Sequence, residues 1–327
     1  MTNRMKGVAI TFFVLLASAN SLAQSGGVSL RPILKPGQEA RYRLIAEVNT
    51  EITAAGANGI SGTQSRELHA TVLLRAGVAA PQLAAQSAGA TAATAGHGSP
   101  YTRETLTSDD GAAAGDLVYY EAVVEMLDAS LKVNGAETSV VFQNGVGQKI
   151  EFALDSTGHV VKCSMPVEAA KAGLAELLFS MLNWAPAASV EVGQTWGSSS
   201  GVESAGNYGY ISAAALSEVP KAAQVAYKLS AVNGGQAVIE GTLALRQASA
   251  TRLAIPAAQI DVNLTASGDG TTRIEYDVAG NRIASAVSES LLKGRVVNVQ
   301  PTRPGEPMQP REGALVETAK FSIKLLQ

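Results

Sequence analysis

A short serine-containing motif is the strongest candidate for nucleophilic chemistry in this sequence. Residues 197–201 read Gly-Ser-Ser-Ser-Gly, which matches the Gly-x-Ser-x-Gly pattern that places a nucleophile, here Ser199, between a strand and a helix. The flanks predict a flexible loop instead, because Trp196 stands in a turn before the motif and more glycine and serine surround it. A Ser-His-Asp site would have to recruit His159 or His69 from distant positions. Trp196 is expected to be buried at the sheet edge, with stacking on a ligand as the alternative.

The histidines and the single cysteine do not have the spacing of a metal site. His69 is predicted on the polar face of a strand, His97 in a loop and His159 in a hairpin turn, and no cysteine lies beside them. Cys163 follows two valines in a predicted strand, where a buried and inert thiol is expected, since Lys162 faces the opposite side. The sequence therefore predicts no metal site and no cofactor.

Four glutamates could perform acid–base chemistry only in a cleft that shifts their pKa values. They are predicted on the polar faces of strands, and nothing in the sequence indicates a cleft around them: Glu47, Glu51, Glu121 and Glu125. Arginines on comparable faces can balance these charges across strands: Arg41, Arg43 and Arg75. No catalytic residue is assigned.

Most of the chain that would position these side chains reads as β-strands, because apolar and polar residues alternate. The residues predicted to face inward are Tyr42, Leu44, Ala46, Val48 and Ile52, then Leu68, Ala70, Val72 and Leu74, then Val118, Tyr120, Ala122, Val124 and Met126, and finally Phe321, Ile323 and Leu325. One-sided alternation is typical of antiparallel sheets with one face in water. The predicted fold is mainly β, a large curved antiparallel sheet (a half-barrel or meander) with one packed α-helix.

The helix is predicted over residues 165–184, with Ser164 as its N-cap. Its apolar stripe has helical spacing: Leu174, Leu177, Leu178 and Met181. The stripe is expected to pack on the inward face of the sheet, and a helix bound to a membrane surface or to a partner is the alternative.

Two stretches are predicted as loops and two as hairpins. Residues 78–116 are rich in alanine, glycine, serine and threonine and predict a long surface loop, and residues 301–313 predict an extended proline-rich loop. Residues 150–160 and 274–283 each read as strand, glycine-containing turn and strand, which predicts two similar hairpins and raises the hypothesis of a duplication.

The N-terminus has the three parts of a secretory signal. Arg4 and Lys6 precede an apolar run at residues 8–17, and small residues lead to a cleavage site after Ala23. The run is short for a hydrocarbon core of about 30 Å. Residues 1–23 are therefore predicted to be removed, with an uncleaved anchor as the alternative, and residues 24–327 are predicted as a single β-rich domain in the periplasm or outside the cell, without a transmembrane anchor.

Composition excludes some classes of partner. The formal net charge is −3, so no basic surface is predicted that would bind nucleic acid. Aromatic residues make up 5% of the chain, which argues against aromatic platforms for sugars or bases. One cysteine allows no internal disulfide.

Three short motifs connect the chain to a family. They are Pro36-Gly37-Gln38 followed by Tyr42, the hairpin turn of residues 155–160, and Val-Gly-Gln-Thr-Trp at residues 192–196. With them the chain resembles a family of uncharacterised exported bacterial β-rich proteins, and its outline is similar to periplasmic lipoprotein carriers. The resemblance implies no activity and no site residues.

Two functions are consistent with these observations. The first is a non-catalytic exported binding, carrier or envelope-associated protein that takes a hydrophobic ligand or a protein partner on its inward face. The second is a hydrolase-type enzyme with an unrecognised site. The absence of a nucleophile–base or metal pattern favours the first.

Overall fold

The computed structural model describes residues 27–31, 34–54, 61–77, 117–139, 145–154, 160–164, 173–182, 184–186, 188–200, 221–247, 253–255, 260–298 and 311–326. Within these ranges the strands are β1 (Glu39–Ala54), β2 (Gly62–Ala76), β3 (Val118–Val133), β4 (Ala136–Ser139), β5 (Lys149–Leu154), β6 (Val160–Ser164), β7 (Thr195–Ser200), β8 (Lys221–Asn233), β9 (Gln236–Gln247), β10 (Leu253–Ile255), β11 (Ile260–Asp277), β12 (Arg282–Asn298) and β13 (Arg311–Leu326), and the helix α1 is Leu174–Ser180. The predicted signal segment, the predicted loop at 78–116, His97 and His159 lie outside the described residues. No described helix is long and apolar enough to cross a membrane.

All these strands belong to one antiparallel sheet. Its order is β6-β5-β3-β2-β1-β13-β12-β11-β9-β8-β7, with β4 added to β3 and β10 added to β11. The first and last strands lie side by side at its centre, where Arg41 is opposite Leu326 and Ala54 is opposite Gly313. The ends of the order, β6 and β7, are consecutive strands along the chain. The predicted mainly-β antiparallel fold is confirmed.

The predicted alternation holds along β1, β2 and β13, whose inward residues are buried with Leu325 only partly so. It fails in β3 at one residue. Met126 was expected inward but is 41% exposed, because a bulge shifts the register so that Thr71 is opposite Met126 while Val72 is opposite Val124. Glu125 is the extra residue, and beyond it the strand presents its other set of side chains to the core. We call the buried side of the sheet the inner face and the other side the outer face.

The sheet is strongly curved. Phe179 in α1 contacts Phe152 of β5, and Trp184 contacts Tyr227 of β8. In the sheet order β5 and β8 are eight steps apart, which is about 38 Å in a flat sheet. Residues 179 and 184 are joined by a chain that spans at most about 18 Å. We call the parts of the sheet on either side of its central strands the wings. The two wings therefore bend towards each other, with the helix between them.

Two glycines of β11 lie close to the backbone of β12. Gly268 and Gly270 occupy inward positions of β11 between the buried Ala266 and Thr272. A Cβ atom added at Gly268 would overlap the carbonyl oxygen of Leu291 in β12. Glycine at such positions is typical of a close approach between backbones.

The predicted helix is too long at its N-terminal end. Gly173, the residue before α1, has a left-handed backbone with φ +70°, so no continuous helix runs through it. The N-cap of α1 is Gly173 rather than Ser164, and Ser164 is the last residue of β6, opposite Glu151. Residues 165–172 lie outside the described part of the chain.

The predicted proline-rich loop also ends earlier than expected. Residues 311–313 belong to β13 and pair with Val296, Val297 and Asn298 of β12, while residues 301–310 lie outside the described part. The two predicted hairpins do form antiparallel strand pairs, β5 with β6 and β11 with β12. The duplication stays a hypothesis.

Candidate functional site: the inner face of the sheet

One end of the inner face is closed by aromatic rings that α1 and the segment after it bring together. On the β3–β5 wing, Tyr120 stacks on Phe152 with ring centroids 5.2 Å apart. Phe152 in turn meets Phe179 of α1 edge to face at 5.5 Å. These rings are fully buried, and edge-to-face or offset pairs of this kind add stability beyond their buried area.

On the opposite wing, Trp184 closes the inner face. Its ring lies edge-on to Tyr276 of β11 at 5.8 Å and to Tyr227 of β8 at 6.3 Å. Its indole nitrogen donates a hydrogen bond to the carbonyl of Met181 at 2.8 Å. Trp196 stacks on Tyr227 at 5.7 Å and donates to the carbonyl of Trp184 at 3.0 Å. We call α1 and these rings on both wings the aromatic plug.

Residues 27–31 and 34–38, which precede β1, close the same end and are called the strap. Val28 and Val190 exchange two backbone hydrogen bonds, of 2.8 and 3.0 Å. The strap's Leu30 and Leu34 are buried in the core. Because the strap and the plug meet here, this end of the inner face is covered from two directions.

Three buried tyrosines lie below the strap, and we call Tyr42, Tyr120 and Tyr276 the tyrosine trio. The hydroxyl of Tyr276 donates to the carbonyl of Arg31, and that of Tyr120 donates to the carbonyl of Leu34 at 3.4 Å. Burial raises the pKa of each tyrosine in the trio well above its usual value. The trio therefore stays protonated in the folded protein, where two of its hydroxyls fasten the strap.

Little free space remains where the strap meets the plug. A crevice bounded there by Leu34, Leu74, Met181 and Ile283 has a free volume of about 10 Å³, which is room for about one water molecule. Helix α1 therefore packs onto a filled core at this end, and the expectation that its stripe lies on the inward face is met: Leu174, Leu177, Leu178 and Met181 are buried.

The other end of the inner face carries an unexpected row of polar side chains on three neighbouring strands. Thr50 of β1 is in register with Gln64 of β2 and with Glu317 of β13. Glu317 is 2% exposed and Gln64 is 7% exposed. The hydroxyl of Thr50 donates to Glu317 Oε2 at 3.2 Å. With its amide oxygen turned towards Arg66, Gln64 accepts hydrogen bonds from the guanidinium at 2.9 and 3.3 Å. These four residues are called the polar row.

The surroundings of the polar row are apolar. The nearest inward positions on the same and adjacent strands hold Val48, Ile52, Leu292, Leu315 and Ala319, all buried. A carboxyl group removed from water needs hydrogen-bonding or charged partners, and Thr50 is one of them. Along β1 the row lies eight residues from Tyr42 at the plug, which is about 26 Å. The inner face thus runs from a filled aromatic end to a polar one.

The candidates proposed from sequence do not meet in one place. Ser199 lies within strand β7 opposite Gln224, so the predicted loop is wrong, and the residue does not stand at the strand-to-helix turn that a nucleophile elbow requires. His69 is on β2 at an outer-face position, opposite Asp128 and Ile45. The described residues contain no group of three or more His, Cys, Asp or Glu that could hold a metal ion.

Two other candidates lie close to where they were expected. Trp196 is half-buried in the edge strand β7 and stacks on a core tyrosine. Cys163 is in β6 opposite Phe152, and it is partly rather than fully buried against the core.

The predicted carboxylates form cross-strand ion pairs. Glu121 accepts from Lys149 at 2.6 Å and from Arg75 at 3.3 Å, and its side chain is only 11% exposed. The ammonium of Lys149, assisted by Arg75 and opposed by burial, lowers the pKa of Glu121. Glu125, the bulged residue, accepts two hydrogen bonds from Arg41, of 2.8 and 2.9 Å. The predicted charge balance across strands is therefore present at Arg41 and Arg75.

Sequence reasoning missed the polar row, although the signal was available. In β13 every second residue faces inward, and counting back in twos from Ile323 and Phe321 leads to Glu317. In β2 the phase set by Leu68 passes through Gln64 in the same way. Extending the alternation to the ends of both strands would have placed a carboxyl and an amide inside.

No protein-family model and no curated protein matches the chain, so the family resemblance stays a prediction. Among solved structures it is similar to lipovitellin, in a structure concerned with lipid–protein interactions, at 11% identity and a TM-score of 0.42, over 90% of this chain and 25% of that one. The chain thus spans a quarter of the length of lipovitellin. It is also similar to the outer membrane protein OprG from Pseudomonas aeruginosa, at 7% identity and a TM-score of 0.23, over 90% of this chain and 98% of that one. An outer membrane channel from Pseudomonas putida F1 matches at 7% identity and a TM-score of 0.21, over 90% and 97%. The functional argument therefore rests on the inner face itself.

Proposed function

We propose that the protein is an exported, non-catalytic binding or carrier protein whose inner face holds a hydrophobic ligand between the aromatic plug and the polar row. The observation that carries this proposal is the polar row itself, a buried cluster at the far end of an apolar wall. Ligand sites are commonly apolar surfaces with a few placed polar groups that fix orientation.

Small side chains line the inner face of the central strands, between the plug and the row. Ala46 of β1 and Ala70 of β2 are fully buried on the inner face between the plug and the row. Ala319 of β13 continues this lining towards the row. Alanines occupy less volume than larger residues would, and a ligand on the inner face would contact the wall at these positions.

The charged outer face supports the proposal that the folded domain is surrounded by water, as a periplasmic or secreted protein would be. Charged side chains form exposed pairs across its strands: Lys320 with Glu289 at 3.5 Å, Arg273 with Glu240 at 3.6 Å, and Arg295 with Glu312. A hydrophobic ligand is therefore expected on the inner face, and a protein partner is the other occupant to test.

The hydrolase alternative has lost its local support. Ser199 lies on an edge strand, and His69 lies seven steps away in the sheet order, at an outer-face position. A nucleophile and its base must be within hydrogen-bond reach.

Native mass spectrometry of gently purified protein, combined with titration of an apolar fluorescent dye, tests the proposal. We expect a co-purifying lipid-sized mass, or saturable dye binding at one site that added lipid displaces. The variant Ala70→Phe should block this binding by filling the inner wall. Thr71→Phe, on the outer face of the same strand, is the matched control and should bind as the wild type does. A wild-type protein that carries no lipid and binds no dye would refute the proposal.

A further inference from the structure

The same labile tripeptide occurs at two hairpin turns of the sheet. Val-Asn-Gly is found at residues 133–135, between β3 and β4, and again at residues 232–234, between β8 and β9. Asparagine followed by glycine is chemically labile, because glycine has no side chain to hinder attack of its backbone nitrogen on the preceding amide carbon. Both asparagines, Asn134 and Asn233, are exposed to water. A difference in their reactivity is therefore expected to come from the fold.

The fold holds Asn134 by its side chain and by its backbone. Its side-chain Oδ1 accepts a hydrogen bond from the backbone N–H of Thr63 in β2 at 2.9 Å. Its own backbone N–H donates to the carbonyl of Thr63 at 2.8 Å. Its backbone is left-handed, with φ +51°, a conformation that asparagine tolerates in a two-residue turn. The side chain must leave Thr63 before its amide carbon can approach the nitrogen of Gly135.

The side chain of Asn233 is not held in this way. It has no hydrogen-bond partner among the residues that the structure describes. Gly234 and Gly235 form the turn with left-handed backbones, φ +57° and +85°. A Cβ atom added to either glycine would meet none of the described atoms within 4 Å. The space in which Asn233 would approach the nitrogen of Gly234 is therefore open.

We propose that Asn233 is a site of spontaneous deamidation in the folded protein and that Asn134 is protected from it. This inference does not depend on the proposed ligand. The backbone nitrogen of Gly234 forms a bond to Cγ of Asn233, the bond from Cγ to Nδ2 breaks, and the proton of the attacking nitrogen passes through water to the departing ammonia. A water molecule then opens the cyclic imide at either carbonyl, which gives aspartate or isoaspartate. Each product carries one more negative charge than asparagine.

The change would lie beside the aromatic plug. Asn233 pairs with Gln236 across the turn, and the next residue of β9, Ala237, is opposite Tyr276 of the plug. Isoaspartate adds one methylene group to the backbone, so it lengthens a connection that two turn residues already span. The altered turn would therefore lie on the wing that Trp184 packs against.

Peptide mapping by mass spectrometry tests the proposal, because exchange of an amide for an acid changes the mass of the peptide. The full chain is incubated folded and, separately, in guanidinium chloride, at neutral and at mildly alkaline pH. In the unfolded chain the two sites should react at similar rates, since their tripeptides are identical. In the folded protein we expect Asn233 to react at least about tenfold faster than Asn134, a factor to which one or two hydrogen bonds correspond. Both rates should rise with pH, because the attacking nitrogen must lose its proton.

Two variants of one residue test the protection of Asn134. Thr63→Pro removes the N–H that holds the side chain of Asn134, so deamidation of Asn134 should become at least about fivefold faster. Thr63→Ala keeps this N–H and is the matched control, with the rate of the wild type. If Thr63→Pro does not fold, the comparison of the folded and unfolded wild-type chains decides alone.

Three outcomes would overturn the proposal. In the first, Asn134 reacts as fast as Asn233 in the folded protein. In the second, Asn233 stays intact in the folded protein while it reacts in the unfolded chain. In the third, Asn233 reacts faster by the same factor in both states, which would mean that the flanking residues and not the fold set the rates. A folded Thr63→Pro protein with an unchanged rate at Asn134 would refute the protective role of the hydrogen bond from Thr63.

Discussion

Replacing Leu178 with alanine tests whether α1 lies on a filled core. Leu178 is 2% exposed, and the crevice beside the plug holds only about 10 Å³, so the lost side chain has no loose neighbour to replace it. Three carbon atoms leave the core, which costs about 2.4 kcal/mol at about 0.8 kcal/mol each. The remaining cavity adds about 1–2 kcal/mol at about 24 cal/mol per Å³. We expect Leu178→Ala to lower the free energy of unfolding by about 3.5–4.5 kcal/mol.

The assay is urea unfolding followed by tryptophan fluorescence, since both Trp184 and Trp196 belong to the plug. The midpoint should fall while the slope stays unchanged, because the surface exposed on unfolding is nearly the same. Met126→Ala is the matched control: at 41% exposure it should change stability by less than about 0.5 kcal/mol. A loss below about 1 kcal/mol for Leu178→Ala would mean that α1 is a loosely seated cover, and the filled-core reasoning would be refuted.

Alkaline titration, glycine substitution and mass measurement test three other features. Because burial raises the pKa of the tyrosine trio in the folded state, the unfolded chain loses these protons first, so stability should be constant up to about pH 10 and fall above it. Urea midpoints between pH 8 and 11 measure this dependence. Tyr276→Phe should make the fall shallower, and a flat profile would contradict the prediction. Gly268→Ala should lower stability by about 1–3 kcal/mol, because the added Cβ overlaps a neighbouring carbonyl. Gly197→Ala is the control: its added Cβ would lie 3.2 Å from the carbonyl oxygen of Val225, so it should cost less. Thermal unfolding compares the two variants. The intact mass of exported protein should correspond to a chain that begins at Gln24, and a retained Met1 would contradict signal removal.

Alternation alone was enough to predict the inner face of β1, β2 and β13, because each side chain there is set by a period of two. It could not predict the bulge at Glu125, since one extra residue in a strand leaves no mark on local hydrophobicity. The exposure of Met126 follows from that bulge. The depth of Glu121 was missed for a related reason: its burial comes from Arg75 and Lys149 lying over it on neighbouring strands.

Local signals also misplaced the ends of elements. Ser164 has the chemistry of an N-cap, but β6 pairs through it with Glu151. Gly173 sits in front of α1 with a left-handed backbone, which the helical period of the leucines after it does not reveal. Partners that are distant in sequence decide such boundaries.

The pairing of β1 with β13 has a consequence for how the chain reaches its folded state. During synthesis the N-terminus emerges first, and β1 acquires β2 early, but the other edge of β1 remains unpaired until β13, the last of the described strands, is available. Until then β1 and β12 both present bare backbone, which other chains can join. The last step closes a loop of nearly the whole chain, and such long-range closure is slow. A circular permutant that links the two ends and opens between β6 and β7 would turn this step into the formation of a local hairpin, and it should fold faster without any change in the finished sheet.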